Sequence, residues 1–377
     1  MEDRLIKGVF QKRINRFVVE CVMDGQKEIA YLPNPGRLYE LLLPGMELYL
    51  KRNSSHSSFK YRVFGINKDG IKVLVDTHHT NHVARELIVR GYIDSFRGYK
   101  ILQEEVKYDD SRFDFLLGNG SKKILLEVKS CTLFGDKTAM FPDAISERAK
   151  RHILTLSKIN DRGTNGAILF VINSALVKYF LPEYHTDPEF SDTLYFLKDK
   201  IIIKAVKINW SYDFSGWKYG GEAEIPWGVF ERERGGRGAY ILGLFLPSSR
   251  DISIGGLGKI HFRNGYYLYA GSAMKNLDRR MRRHRKIFRK VFWHIDYLRN
   301  FSDFKFCMPV RTEDRIECEI GAMLKECADG IIEGFGCSDC NCRSHLFWMR
   351  DDPLSERSFI NILQYFRIDR LDRKYNL

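Results

Sequence analysis

Residues 112–130, RFDFLLGNGSKKILLEVKS, constrain the fold most, because charged side chains interrupt two otherwise apolar β-runs. The runs flank the turn GNGS and are therefore predicted to pair as a hairpin. Asp114 lies in the first strand, whereas Glu127 and Lys129 are two positions apart in the second and so share one face. The apolar ILL run predicts a central strand, in which charged side chains are rare unless they have a partner or a function.

These three charged side chains form a pattern suited to phosphodiester hydrolysis. Carboxylate oxygens bind Mg²⁺ or Mn²⁺, the cation lowers the pKa of a bound water, and a lysine offsets charge on the pentavalent phosphorus. We therefore predict that Asp114, Glu127 and Lys129 are catalytic, with Asp114 and Glu127 as metal ligands. The alternative is a solvated strand of alternating charge, since E-x-K is a common sequence.

The chain has 377 residues, which predicts two or three domains. Residues 1–75 contain five short strands between turn signals and predict an OB-like β-barrel that binds nucleic acid. Mixed helical and strand patterns predict an α/β domain over 76–212 and another over 236–350. A linker over 213–235 and a tail over 351–377 complete a multidomain α+β and α/β architecture.

The charge balance favours a polyanionic partner. The net charge is +13 and the isoelectric point about 9.2, so nucleic acid is favoured over a membrane, although a merely basic protein is the alternative. No run approaches the roughly 20 apolar residues of a membrane helix. The N-terminus, MEDRLIKGVFQKR, lacks the apolar core of a signal peptide. We expect a cytoplasmic protein, and the sequence leaves the oligomeric state open.

Several segments resemble the sugar fermentation stimulation protein A family and occur in the same order: RINRFVVEC, YLPNPGRLYELL, EEVKYDDSRFDFLL, LLEVKSCTL and FPDAISERAKRHI. The D…E-x-K hairpin is also similar to the core of PD-(D/E)xK nucleases. The resemblance spans about residues 5–210. It implies an OB-like barrel followed by a nuclease-like domain that acts on DNA or RNA.

The same resemblance implies roles for individual residues. Asp114 and Glu127 would hold the metal, Lys129 would stabilise charge or position the attacking water, and Glu105 would be a helix-side carboxylate that completes the site. A surface glutamate is the alternative for Glu105. Arg148 and Arg151 would contact substrate phosphate, or else form a solvated helix face.

A second constellation follows in the C-terminal half. GAYILGLFL and YYLYAGSAMKNLDRRMRRH are similar to the GIY-YIG nuclease fold, and the resemblance to a GIY-YIG-related domain spans about residues 236–350. It implies that Tyr240, Tyr269 and Arg280 surround the scissile phosphate. A glutamate of ECEIGAML would hold a divalent metal, and Glu319 is preferred over Glu317 because the apolar run IGAML continues from it.

The basic stretch NLDRRMRRHRK, residues 276–286, divides in two on a helical projection. Arg280 lies at the edge of an apolar stripe and can reach the tyrosines. The opposite face is predicted to contact a phosphate backbone through Arg279, Arg282, Lys286 and Arg289.

Six of the eight cysteines lie between Cys307 and Cys342. Such clustering favours metal ligands or buried thiols over disulfides. The segment GCSDCNCRSH offers ligands that suit zinc, and Cys318 could share the ion. The candidate ligands are Cys337, Cys340, Cys342 and His345. Buried reduced cysteines in a tight loop are the alternative.

Together these observations predict a metal-dependent nuclease with two nuclease-like centres. A protein of another class is the rival hypothesis: a regulatory or repair-accessory protein that binds nucleic acid and has one or both centres inactive.

Overall fold

The computed structural model describes residues 5–54, 57–159, 163–287 and 290–377. The chain divides into two compact units. Unit 1 comprises residues 1–227 with 371–377, and unit 2 comprises 228–370. None of the helices in the described residues is long and apolar enough to span a membrane.

Unit 1 begins with a closed five-stranded barrel, in which buried and less buried residues alternate along Val18–Met23. Its strands are β1 (Ile6–Asn15), β2 (Val18–Met23), β3 (Gln26–Tyr31), β4 (Glu47–Arg52) and β5 (Tyr61–Lys68). A parallel pairing of β3 with β5 closes the barrel, and β6 (Ile71–Leu74) extends it beside β5. The predicted OB-like architecture is confirmed.

The rest of unit 1 is built around a six-stranded mixed sheet. The elements that follow the barrel are α1 (Thr77–Val89), β7 (Lys100–Tyr108), β8 (Ser111–Asn119), β9 (Lys122–Cys131), β10 (Leu133–Phe134), β11 (Thr138–Phe141), α2 (Glu147–Ser157), β12 (Thr164–Ile172), β13 (Tyr179–Pro182), α3 (Pro188–Phe196), β14 (Ile202–Trp210) and β15 (Trp217–Glu222). The strand order is β15-β14-β12-β9-β8-β7, with β9, β12 and β14 parallel. Strand β9 is therefore central, as its apolar run predicts.

The segment 213–235, predicted as a linker, differs from that expectation. Its strand β15 pairs with β14, and α4 (Trp227–Glu233) follows. Phe214 fills the space above Gly65 of the barrel and packs edge-on against Tyr49 and Phe64. This segment is rich in glycine and charged residues, but it also contains a few large side chains that complete the core.

Unit 2 is a second α/β unit with a five-stranded sheet of order β20-β16-β19-β22-β21. Its elements are β16 (Gly238–Leu246), β17 (Arg250–Ser253), β18 (Lys259–Phe262), β19 (Gly265–Ala273), α5 (Leu277–His284), α6 (His294–Arg299), β20 (Asp303–Arg311), α7 (Glu317–Cys327), β21 (Gly330–Ile331), β22 (Leu346–Met349) and α8 (Arg357–Gln364). The predicted tail is thus helical: a π-helical turn (Tyr365–Asp369) and α9 (Arg370–Lys374) follow α8.

We expect Phe214→Ala to lower the free energy of unfolding by about 3 kcal/mol, because it removes a buried ring and leaves a cavity. Urea denaturation followed by the fluorescence of Trp210, whose ring lies 5.5 Å from that of Phe214, measures the change. Phe196→Ala is the matched control, since Phe196 is 64% exposed. Equal losses in the two variants would contradict a core role for Phe214.

Candidate functional site

The hairpin of β8 and β9 brings Asp114 and Glu127 together. Phe115 pairs with Leu126, so the next residues along the ladder, Asp114 and Glu127, lie side by side. Lys129 projects from the same face of β9 as Glu127, as the two-residue spacing predicts. The three residues predicted to be catalytic therefore meet at one place in unit 1.

Hydrogen bonds to both of its oxygens hold the carboxylate of Asp114. Its Oδ1 accepts a hydrogen bond from Asn81 Nδ2 at 2.7 Å, and its Oδ2 accepts one from the backbone N–H of Val128 at 2.6 Å. Asn81 lies on α1 and was missed in the sequence, because nothing in NHVAREL distinguishes it from an ordinary helix residue.

Glu127 is only 3% exposed and is held from two sides. Its Oε1 accepts hydrogen bonds from the ammonium of Lys129 and from His152 Nδ1, the latter at 2.7 Å. Arg148 Nε donates to the other imidazole nitrogen of His152 at 3.5 Å, which leaves Nδ1 as the nitrogen that donates to Glu127. Within the part of the chain that the structure describes, Glu127 Oε2 is buried without a hydrogen-bond partner.

The two carboxyl groups have opposite pKa shifts. Burial, followed by the negative charge of Glu127, raises the pKa of Asp114 to about 6. Burial also opposes ionisation of Glu127, but Lys129 and His152 outweigh it and hold the pKa of Glu127 below its usual value. Asp114 is therefore the group that titrates near neutral pH.

This pair lines a cavity of about 540 Å³ within unit 1. The barrel contributes Arg16 and Asn34 to the wall, and the α2 region contributes Asp143 and Arg148. The cavity is large enough for a nucleotide unit and combines carboxylates with basic side chains, as a site for a phosphodiester and a cation requires.

The donor set of this site fits a hard divalent cation. Two adjacent carboxylates provide oxygen ligands, and the unpartnered Oε2 of Glu127 leaves a buried negative charge for a cation to neutralise. Asp114 and Glu127 are the residues that would hold Mg²⁺ or Mn²⁺. Lys129, already engaged with Glu127, would remain beside the cation.

Glu105 differs from its predicted place on a helix. It lies in β7, between the pairs Glu104–Phe115 and Val106–Phe113, and is therefore opposite Asp114. Its exposed side chain lies 3.5 Å from Arg112. In sequence, the charged residues of EEVKY resemble the surface of a helix. In the structure, this segment instead pairs with β8 as a strand.

The basic residues around α2 occupy different positions. Arg148 is exposed and lines the cavity, whereas Arg151 is exposed and is not among the lining residues. Asp143, which precedes α2, does not cap this helix. Ser146 does so, and the Oδ2 of Asp143 instead accepts a hydrogen bond from Leu38 N at 2.6 Å.

Unit 2 brings Tyr240 and Tyr269 together on neighbouring strands. Tyr240 pairs with Gly271 and Leu242 pairs with Tyr269, so the tyrosines are diagonal neighbours with ring centroids 6.4 Å apart. A Cβ on Gly271 would lie 2.5 Å from the Tyr240 hydroxyl, and this close approach explains the glycine.

Tyr240 is 2% exposed, and its hydroxyl lies 2.9 Å from His284 Nε2. Burial lowers the pKa of His284 to about 4, so the imidazole is neutral at physiological pH and can accept a hydrogen bond from the Tyr240 hydroxyl. Burial also raises the pKa of both tyrosines, and the charge of Glu317 raises them further, whereas Arg280 lowers them.

Glu317, rather than Glu319, therefore lies at the tyrosine pair. Its Oε2 accepts a hydrogen bond from Ser272 Oγ, whereas Glu319 is exposed. The two positions differ by about 200° around α7, so only one can face the sheet. The structure thus places Glu317 where the sequence preference named Glu319, because the apolar run that follows Glu319 gives no information about the direction of either side chain. A metal ligand at either position stays a prediction.

The helix of the basic stretch in unit 2 ends at His284, so Lys286 lies beyond it. Arg280 is half-buried and stacks over Trp293, with 4.2 Å between the guanidinium carbon and the ring centroid. Arg279, Arg282 and Lys286 are exposed, and Arg289 lies outside the described residues. Sequence reasoning missed that Arg283 makes two 2.6 Å hydrogen bonds to buried Asp296.

The cysteine cluster contains a different set of residues from the one predicted. Ligand atoms of Cys318, Cys340, Cys342 and His345 all lie within 4.8 Å of one another. Cys337 is outside this group, and its Sγ lies 3.8 Å from the carbonyl oxygen of Arg343. The three cysteines of GCSDCNC are so closely spaced that not every thiol points to the same place. Cys318 of α7 completes the group instead of Cys337.

We expect the carboxyl group of Asp114 to titrate near pH 6 in the absence of divalent cations. Because the folded state holds this proton up to a higher pH than the usual 3.8, the free energy of unfolding should fall as the pH rises from about 4 to 6. Carbon-13 NMR of labelled aspartates measures the pKa, with Asp114→Asn for assignment.

Glu127→Gln removes the neighbouring charge and should lower the pKa of Asp114. Glu104→Gln is the control, because Glu104 lines the same cavity from an exposed position. Equal shifts in the two variants would show that Asp114 and Glu127 are not electrostatically coupled.

Comparison with known proteins agrees with this arrangement. Three family models match in order: the SfsA N-terminal OB domain over residues 12–75, the sugar fermentation stimulation protein RE domain over 78–213, and the domain of unknown function DUF123 over 239–367. The relation of the third region to GIY-YIG nucleases stays a prediction.

Curated relatives match about half of the chain. A sugar fermentation stimulation protein homolog of Methanothermobacter thermautotrophicus is 36% identical over 190 residues, which cover 50% of this chain and 79% of that protein. A homolog of Moorella thermoacetica is 38% identical over 193 residues, covering 50% and 83%. The structure of Pyrococcus furiosus SfsA in complex with Ca²⁺ matches with a TM-score of 0.55 and 27% identity, covering 59% of this chain and 95% of that one. The chain therefore belongs to the sugar fermentation stimulation protein family, and it carries a DUF123 domain after the OB and RE domains.

Proposed function

We propose that this protein is a Mg²⁺- or Mn²⁺-dependent nuclease whose main centre is formed by Asp114, Glu127 and Lys129. The observation that carries the proposal is the buried, unpartnered Oε2 of Glu127 beside Asp114 and Lys129 in the wall of the cavity. The Ca²⁺ complex of the Pyrococcus furiosus relative supports a divalent cation in this family.

Each residue of the centre has a separate task in hydrolysis. A bound divalent cation would lower the pKa of a water molecule and withdraw charge from the phosphate. Asn81 and Val128 fix the carboxylate of Asp114, while His152 fixes that of Glu127. Lys129 stays close to Glu127 and can either orient the attacking water or neutralise the charge that develops on the phosphate.

The barrel offers a surface for the bases of a single strand. Phe17, Tyr31 and Phe59 form a stacked row, with centroid separations of 6.4 and 6.0 Å and interplanar angles below 30°. Phe17 is 42% exposed, and the guanidinium of Arg16 lies 5.8 Å from its ring. Arg16 also lines the cavity. A nucleic-acid strand whose bases stack on this aromatic row can therefore extend its phosphate backbone towards Asp114.

We propose that unit 2 holds a second phosphodiester centre. Tyr240, Tyr269 and Arg280 interact there, and neutral His284 accepts a hydrogen bond from the Tyr240 hydroxyl and so orients it. A tyrosine so oriented could hydrogen-bond to the attacking water, and Arg280 could neutralise phosphate oxygens. If this centre is inactive, unit 2 remains a nucleic-acid-binding module.

Lys129→Met should reduce cleavage by about 100-fold or more while leaving the cation-binding carboxylates in place. The assay uses single-stranded, double-stranded and branched DNA and RNA with Mg²⁺, Mn²⁺ or EDTA. Lys122→Met is the matched control, because Lys122 is exposed at the start of the same strand. If the wild type binds these substrates but cleaves none of them, the result supports the rival hypothesis of a nucleic-acid-binding protein with inactive centres.

The same assay separates the two centres. If both are active, Glu127→Ala and Arg280→Ala each leave residual cleavage and only the double variant abolishes it. Complete loss in Glu127→Ala alone would show that unit 2 is not an independent nuclease.

Phe17→Ala should weaken binding of an unstructured oligonucleotide roughly tenfold, because stacking on one aromatic ring is worth about 1–3 kcal/mol per base. Fluorescence anisotropy in EDTA measures the affinity without cleavage. Tyr92→Ala is the control, since Tyr92 and Tyr219 form a stacked pair on another part of unit 1. Equal effects of the two variants would exclude the row as the binding surface.

A further inference from the structure

We propose that unit 2 contains a structural zinc site formed by Cys318, Cys340, Cys342 and His345, in which Glu317 orients the histidine. Cys318 lies in the first turn of α7, and the other three ligands lie in the irregular segment before β22. The ion would therefore join two parts of the chain that are more than twenty residues apart in sequence.

The distances within the group suit a tetrahedral ion. His345 Nε2 lies 3.5 Å from Cys340 Sγ and 3.9 Å from Cys318 Sγ. Zn–S and Zn–N bonds of about 2.3 and 2.0 Å place neighbouring ligand atoms of a tetrahedron roughly 3.5–3.8 Å apart. The four ligand atoms are thus already almost as close as the ion requires.

The ligand types identify the metal class. Three thiolates and an imidazole favour Zn²⁺ over the hard cations that suit Asp114 and Glu127. Four protein ligands also complete the usual tetrahedral shell, which leaves no position for water or substrate. The site therefore has the composition of a structural zinc centre.

Glu317 supplies the outer interaction that zinc-bound histidines usually have. The Nδ1 of His345 lies 3.3 Å from Glu317 Oε1, while Nε2 faces the thiols. A carboxylate on Nδ1 fixes the tautomer and the ring orientation that direct Nε2 to a metal. His345 is 2% exposed, so its ring has little freedom to turn otherwise.

The zinc-bearing segment also supports the tyrosine pair. Phe335 is fully buried and packs edge-on against Tyr269, with centroids 6.4 Å apart. A Cβ on Gly336 would lie 2.9 Å from the Tyr269 ring, so the backbone there touches the tyrosine directly. The ion would hold this segment against α7 and thereby keep Tyr269 in position.

The test measures zinc in the full-length protein purified under reducing conditions. The wild type should carry about one zinc ion per chain by elemental analysis, and the double variant Cys340→Ser/Cys342→Ser should carry little. Cys337→Ser is the matched control from the same segment and should retain zinc. Release of zinc by Cys337→Ser, or a wild type that takes up no added zinc, would overturn the proposal.

A second measurement does not depend on the folding of a cysteine variant. Co²⁺ added to the metal-free wild type should give the intense visible absorption of a tetrahedral thiolate site, and a spectrum without that absorption would contradict the proposed ligands.

The role of Glu317 is tested by a chelator competition. Glu317→Ala should lower zinc affinity by about 10- to 100-fold, and Glu317→Gln should restore part of it because an amide oxygen still accepts the histidine N–H. Glu319→Ala, on the exposed face of the same helix, should leave the affinity unchanged. Equal losses at positions 317 and 319 would remove Glu317 from the site.

Discussion

The buried carboxylate of Glu127 is the constraint on which the arrangement of unit 1 depends. A charged group in a central strand is costly unless partners compensate for its loss of water. Lys129 and His152 meet this requirement at one oxygen only. Among the described residues no hydrogen-bond donor contacts the second oxygen, and the carboxyl group of Asp114 lies beside Glu127. Such a concentration of carboxylate oxygens is typical of a site that binds a cation.

The two proposed centres solve the problem of buried polar groups differently. In unit 1, ionised groups are held close together, and the raised pKa of Asp114 reflects its burial first and then the repulsion between the two carboxyls. In unit 2, the buried pair of Tyr240 and His284 is neutral, so it is compatible with burial without a counterion. Arg280, stacked on Trp293, is the charged member and remains half-buried.

Strands and side-chain spacing could be predicted from the sequence, because their periods are local. The two-residue separation of Glu127 and Lys129 and the presence of short strands in residues 1–75 belong to this class. The partners that come from distant elements could not be predicted. Asn81, on a helix some thirty residues upstream, and Phe214, in an apparent linker, acquire their roles only through contacts made in the folded chain.

At Glu319 and Cys337 the structure differs from the sequence preference for the same physical reason. The direction of each side chain depends on how a helix or a loop lies against the sheet, and residue types do not specify it. Glu317 is the residue of α7 that faces the sheet, where it accepts hydrogen bonds from both Ser272 and His345. One carboxylate thus contacts the strand that carries Tyr269 and a ligand of the proposed zinc site. A change in the zinc occupancy of that site should therefore alter the orientation of the Glu317 side chain and, through it, the environment of the tyrosine pair.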